Sequence, residues 1–243
     1  MKLGKYLAHG GIASRRKSKE LILNGKVLVN GEVVTEPSYL VKKDDVVTYK
    51  DEVVEKEELV YYLVNKPRGV VSTVKDEKGR KTILDLLNDE DKDERVYPVG
   101  RLDYDSTGVL ILTNDGELAY ILTRPEYEVP KTYLVTAKGI ITREAERKLR
   151  TGIELDGYRT REAKVSVKEK NNQKKTSLVE ITITEGKNHQ VREMFKAVGF
   201  PVKSLTRTHF DFLTTEGVKR GSYRPLKIHE VKKLYVNKNK SQD

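Results

Sequence analysis

Residues 99–119, VGRLDYDSTGVLILTNDGELA, set three aspartates around one apolar run. Asp103 follows Gly100-Arg101-Leu102 in a loop just before the run at 109–112, and a carboxylate on a loop anchored by a rigid strand is well placed to meet a substrate as nucleophile or base. Taken alone, an aspartate after a glycine is more often a turn or cap residue. Asp105 has less claim, and Asp115-Gly116, between a strand and a helix, reads first as an N-cap or turn. Two distant segments carry further candidates. KTYLV, residues 131–135, opens a strand whose Tyr133 and Leu134 face opposite sides; on its own Tyr133 is a sheet aromatic. In EGKNHQVREMFKAVG, residues 185–199, Val191, Met194, Phe195 and Val198 form an i, i+3, i+4, i+7 stripe that packs on a core. Arg192 stands about 100° round from Val191, off the centre of that stripe, in an exposed or ion-paired position.

Other chemistries fail on spacing. The four histidines, His9, His189, His209 and His229, show no HExxH or paired-ligand pattern, and there is no cysteine, so no metal site is indicated and disulfides and thiolate chemistry are excluded. No GxxxxGK[ST] loop and no GxGxxG after a strand is present, so no cofactor is expected. No apolar run approaches the roughly 20 residues that span a bilayer, and the start, MKLGKYLAHGG, lacks the apolar stretch of a signal peptide. A cytoplasmic protein without membrane association is the expectation. Lys and Arg exceed Asp and Glu by 47 to 37, a net charge of +10, which suggests a polyanionic partner. The charge is clustered: residues 1–30 hold Lys2, Lys5, Arg15, Arg16, Lys17, Lys19 and Lys26 against Glu20 alone, while 51–58 and 88–94 are acidic.

The elements that must position these groups fall into two segments. In the first, Leu3, Tyr6, Leu7 and Gly10 recur at helical spacing before Gly10-Gly11, Ser14 is a suitable N-cap for a second helix running to Asn24, and Asn30-Gly31 marks a tight hairpin. Arg15, Arg16 and Lys17 occupy the first turn of that second helix, where the macrodipole disfavours each cation by about 0.3–1 kcal/mol. A docked phosphate would reverse that cost. The acidic stretch 51–58 reads as a linker. From Leu59 the pattern predicts strands at 59–65, 108–113, 132–138, 162–168, 177–184 and 204–213, helices at 82–88, 116–123, 142–150 and 189–198, and a further strand within 226–236 before a frayed lysine-rich tail.

Two resemblances join these pieces. AHGGIASRRKSKELILNGKVLVNG resembles the S4 RNA-binding domain, which implies that the second helix and the hairpin face RNA. GRLDxxxxGxLxLTNDG, with the KTY and GKNHQVREM elements and VNKPRGVVST at 64–73, resembles the RsuA-type ribosomal RNA pseudouridine synthases over nearly the whole chain and in the family's order. That resemblance implies Asp103 as the essential catalytic residue, Arg192 as its ion-pair partner, Tyr133 as the aromatic that stacks on the target base, and Arg101 as a group that enters the space left by a flipped base. Lys66 and Arg68 would then shape the cleft and touch phosphates, and Lys187, Asn188 and His189 would contact phosphate at a helix N-terminus. The fold implied is α+β: a small S4 domain of helices and a β-hairpin at 1–58, then a mixed, mainly antiparallel synthase sheet with flanking helices at 59–243. The implied partner is ribosomal RNA, from the large-subunit branch 23S rRNA, bound by a monomer. The competing readings are a non-catalytic S4 assembly protein and a metal-dependent nuclease built on Asp103, Asp105 and Asp115.

Overall fold

A computed structural model describes residues 1–237; the lysine-rich tail beyond them lies outside the described residues. The chain forms two compact units, Met1–Leu59 with Asn114–Gly116, and Val60–Thr113 with the chain from Glu117 onward.

The first unit runs α1 (Leu3–His9), α2 (Arg15–Leu23), β1 (Val27–Val29), β2 (Glu32–Val33), β3 (Val47–Tyr49) and β4 (Glu52–Val53), its strands ordered β2-β1-β3-β4. Leu3 and Leu7 of the α1 stripe are fully buried and meet Ile22, Val27 and Val47 in one core. Ser14 caps α2 by accepting the Lys17 N–H at 3.3 Å, which leaves Arg15, Arg16 and Lys17 exposed on its first turn. Asn30 and Gly31 take φ of 53° and 82°, the two positive values that a type I′ turn requires. The acidic stretch expected as a linker departs from that reading at its start. Glu52–Val53 is a strand and Val54 is 3% exposed in the core, because one apolar side chain at the sheet edge is enough to hold the segment while its acidic neighbours stay in water.

The second unit contains β5 (Tyr61–Lys66), a 3₁₀ turn (Ile83–Leu86), α3 (Asp89–Lys92), β6 (Tyr97–Pro98), β7 (Thr107–Thr113), α4 (Gly116–Thr123), a 3₁₀ turn (Pro125–Tyr127), β8 (Lys131–Lys138), α5 (Arg143–Thr151), β9 (Glu154–Leu155), β10 (Tyr158–Arg159), β11 (Lys164–Asn171), β12 (Thr176–Ile183), α6 (Gln190–Ala197), β13 (Val202–Phe210), β14 (Leu213–Thr214), β15 (Tyr223–Pro225) and α7 (Ile228–Tyr235). Its main sheet is ordered β11-β12-β8-β13-β7-β5-β15, antiparallel throughout except for the central β13–β7 pair. The expected mixed, mainly antiparallel α+β architecture is what forms. Every residue of β7 is buried, since the sheet is covered on both faces. Leu110 and Leu112 pack with Met194 and Phe195 on one side, and Val109 and Ile111 pack with Leu118, Phe210 and Leu234 on the other. A continuous apolar run is the signature of such a strand.

The strand expected within 226–236 is instead the helix α7. Glu230, three residues into it, accepts the Lys227 N–H at 2.8 Å and binds Arg224 through both carboxylate oxygens at 2.7 and 2.8 Å. Burial of Leu226, Glu230 and Leu234 follows a four-residue spacing, so the helical period and the cap decide against the β-branched composition.

Candidate active site

The loop before β7 carries Asp103 and is tied down along its length. Ser72 Oγ donates to Leu102 O at 2.8 Å, the Gly69 N–H bonds Tyr104 O at 2.9 Å, and the Ser106 N–H bonds Asp103 O at 3.0 Å. Lys66, at the end of β5, completes the anchorage: its ammonium donates to Asp103 O and Ser106 O, both at 2.9 Å, and to Pro67 O at 3.2 Å. This corrects the expectation that Lys66 touches RNA phosphates. The side chain is fully buried, and burial pushes its amine down to about 8 against the pull of Asp103 and Asp105. An inward position on a strand covered on both faces leaves no route to solvent. Arg68, two residues on, is exposed.

Gly108, the second residue of β7, has φ of 109°, where only glycine is unstrained. A Cβ there would stand 2.1 Å from Arg207 O. The glycine five residues after Asp103 therefore lets β13 run beside β7 and brings its side chains to the Asp103 loop.

Arg192, in the first turn of α6, reaches that loop with two nitrogens of its guanidinium. Nε lies 3.1 Å from Asp103 Oδ2, and Nη2 lies 2.8 Å from Asp105 Oδ1 and 3.1 Å from Ser106 Oγ. The segment entering α6 is fixed by Gln190, whose Oε1 accepts the Lys187 N–H at 3.0 Å and whose amide donates to the buried Glu185. His189 takes a left-handed φ of 53° and sets Nε2 at 3.3 Å from Asp103 Oδ1, while Asn188 Oδ1 accepts from Arg101 at 3.3 Å. Lys187 lies over the Tyr158 ring, 3.2 Å from its centroid.

Asp103, Arg101, Asn188 and His189 line a cavity of about 220 Å³ together with Tyr133, Lys131 and Arg207, and Arg192 reaches Asp103 from outside that lining. Tyr133 is 8% exposed, packed into the core along one side with part of its ring toward the cavity. Of the residues singled out from sequence, Arg101, Asp103, Tyr133, Lys187, Asn188, His189 and Arg192 thus converge in the second unit. Arg15, Arg16 and Lys17 belong to the first unit. Lys131 and Arg207 escaped sequence reasoning, although each had a signal: both fall on the inward beat of a strand alternation, Lys131-Tyr133-Val135 and Leu205-Arg207, where an apolar side chain is expected.

Chemically, the site offers a carboxylate, held by a planar guanidinium, that lines a partly aromatic cavity together with exposed basic and amide groups. A paired guanidinium orients a carboxylate and compensates its charge when a bound ligand excludes water. Residues 60–197 match the RNA pseudouridylate synthase family and residues 1–47 match the S4 domain. The chain is 48% identical over 233 residues to ribosomal large subunit pseudouridine synthase B of Bacillus subtilis, covering 96% of this chain and 95% of that one. It is 37% identical to an uncharacterized RNA pseudouridine synthase of Aquifex aeolicus over 97% of this chain and 94% of that one. A solved structure described as a pseudouridylate synthase superposes with a TM-score of 0.69 at 32% identity, covering 96% of this chain and 99% of that one. The chain therefore belongs to the RNA pseudouridylate synthase family and is an enzyme that isomerises uridine in RNA, with an S4 domain at its N-terminal end.

Proposed function

We propose that the protein converts a uridine of 23S ribosomal RNA to pseudouridine, acting as a monomer without a cofactor, with Asp103 as the catalytic group. The observation that carries this reading is that Asp103, ion-paired to Arg192, lines the same cavity as Tyr133. The reaction breaks the N1–C1′ bond, turns the uracil and joins C5 to C1′. The C5 proton is lost and N1 gains one, so substrate and product are isomers and no redox or energy input is required. The target base must leave its stack first, at a cost of a few kcal/mol. Tyr133 offsets part of this by stacking on the uracil, worth about 1–3 kcal/mol, and it faces the base from which the C5 proton departs. Arg101, exposed beside the cavity, fills the gap left in the RNA. Asp103 acts as nucleophile or base in the glycosidic step, and Arg192 holds it for that step. Lys187, Asn188, His189 and Arg68 contact the backbone around the target, and Arg15, Arg16 and Lys17 supply phosphate affinity from the S4 domain. The large-subunit assignment is supported by the similarity to the B. subtilis enzyme named for that subunit.

Tritium release from [5-³H]uridine-labelled rRNA tests the reading. Wild type releases tritium from a 23S transcript in the presence of EDTA and Asp103→Asn does not. Undiminished release by the variant would remove Asp103 from its role, and no release by wild type from any rRNA fragment would leave an S4 assembly protein. Carbodiimide primer-extension mapping on rRNA from a strain lacking the gene then locates the uridine.

A further inference from the structure

The part of the cavity lining beside Tyr133 is cationic. Arg207 on β13 pairs directly with Tyr133 on β8, and directly paired residues place their side chains on one face of the sheet. Arg207 is 2% exposed. Its Nε donates to Val109 O at 2.8 Å, its guanidinium carbon lies 4.8 Å from the Phe210 ring centroid, and its Nη2 is buried with no acceptor. Lys131 stands two residues before Tyr133 on the same face and is 7% exposed. Its ammonium donates to Val129 O at 3.0 Å and lies 5.5 Å from the same Phe210 ring. Burial, reinforced by Arg207, pushes the Lys131 amine down to about 8, which still leaves it charged at neutral pH. Neither side chain has a carboxylate partner among the described residues, whereas Arg192 has two.

Two buried, neighbouring cations repel each other and are costly to desolvate. A wall built only for packing would continue the apolar character of Leu205 and Ile183, which line the same cavity. The arrangement suits an anion delivered into the cavity, and the isomerisation proposed above generates one. When N1–C1′ breaks, the bonding pair leaves with N1. Asp103 answers the deficiency at C1′ either by bonding through a carboxylate oxygen or by taking the C2′ proton. The detached uracil then carries one negative charge over N1, O2 and O4. The charge is discharged when C5 bonds to C1′, as the Asp103–C1′ bond breaks or the proton returns to C2′ and frees the carboxylate; the C5 proton then leaves and N1 is protonated.

Resting on that reading, we infer that Arg207, backed by Lys131 and Phe210, forms a fixed cationic wall that stabilises the detached uracil anion while it turns. Pre-placed charge aimed at where charge develops is worth far more in such a site than in water. The wall thereby separates the work of the two arginines: Arg192 serves the carboxylate and Arg207 the leaving base.

The test uses the full-length protein and a synthetic RNA containing the mapped target, with either uridine or 5-fluorouridine at that position. Loss of the target nucleoside is followed under single-turnover conditions by nuclease digestion and liquid chromatography, which separates the isomers that have equal mass, and RNA affinity is followed by filter binding. Arg207→Met is expected to retain RNA affinity and to slow consumption of uridine by about 10²–10³-fold, the usual effect of removing one such donor. Fluorine stabilises the uracil anion by itself, so the same substitution should slow consumption of 5-fluorouridine at least about tenfold less. Arg207→Lys, which keeps the charge, should recover part of the rate, and thermal melting confirms that each variant folds. Equal slowing on both substrates would make Arg207 a packing residue. Weakened RNA affinity with an unchanged saturated rate would assign it to a phosphate. Either result overturns the inference while leaving the isomerase reading intact, whereas failure of wild type to convert any rRNA fragment overturns that reading itself.

Discussion

The Arg192 guanidinium and the Asp103 carboxylate, 89 positions apart in the chain, meet at 3.1 Å, and the same guanidinium holds Asp105 at 2.8 Å. One planar group thus sets the angle of the loop carboxylate and compensates the charge of its neighbour. Arg192→Met should lower the single-turnover rate by about 10²-fold, the scale of a small misplacement at a reacting centre. Arg192→Lys should recover little of it, because an ammonium cannot span both carboxylates as the fork does. Single-turnover tritium release measures both, and a wild-type rate for Arg192→Met would separate the pair from catalysis.

Lys66 acts on the same loop from beneath. Lys66→Met removes an ammonium bound to three carbonyls and leaves Asp103 O and Ser106 O short of their buried donor, a loss of about 1–3 kcal/mol. The expected outcome is lower stability in urea unfolding and slower turnover with unchanged RNA affinity. Weaker RNA binding as the main effect would return Lys66 to the phosphate-binding role.

Gly108 and Gly31 both have positive φ, yet their substitutions should differ. An alanine Cβ at Gly31 meets nothing within 4 Å, whereas at Gly108 it would collide with Arg207 O. Gly31→Ala should cost about 1 kcal/mol, from backbone conformation alone. Gly108→Ala should cost about 3 kcal/mol or more, from the added displacement of β13. Urea unfolding of the two variants compares them directly.

The basic turn of α2 predicts a salt-dependent effect. Replacing Arg15, Arg16 and Lys17 together by alanine should weaken RNA binding and reduce the slope of log affinity against log salt by roughly 0.7–0.9 for each phosphate that is no longer neutralised. Turnover at saturating RNA should be preserved. An unchanged slope would show that this turn is a solvated surface.

Glu230 gives a pH signature. Hydrogen bonding to Arg224 depresses its folded carboxyl from 4.5 to about 2, so the folded state binds fewer protons than the unfolded chain between those values. The stabilisation is fully present above about pH 5 and is lost as pH falls toward 2. Glu230→Gln should therefore be less stable than wild type by about 1–3 kcal/mol at pH 7, with the difference closing at acid pH. A gap independent of pH would assign the effect to the helix cap alone.

Much of this enzyme is legible in local spacing. The Asn30-Gly31 turn, the Ser14 cap, the Val191-Met194-Phe195 stripe and the fully buried run of β7 depend on torsions and periodicities that a few neighbouring residues determine. The loop position of Asp103 is of the same kind. Tertiary structure decided what depends on segments meeting. It turned Lys66 from a surface cation into a buried clamp, made Glu230 a partner for Arg224 and so drew α7 as a helix, and set Arg207 and Lys131 into a cavity wall behind Tyr133. A side chain's charge and size are written at its own position, but its burial and its partners are properties of the strands that cross beside it. That is why the acid and its motif could be found in the chain, while the cationic lining of the same cavity could be found only in the fold.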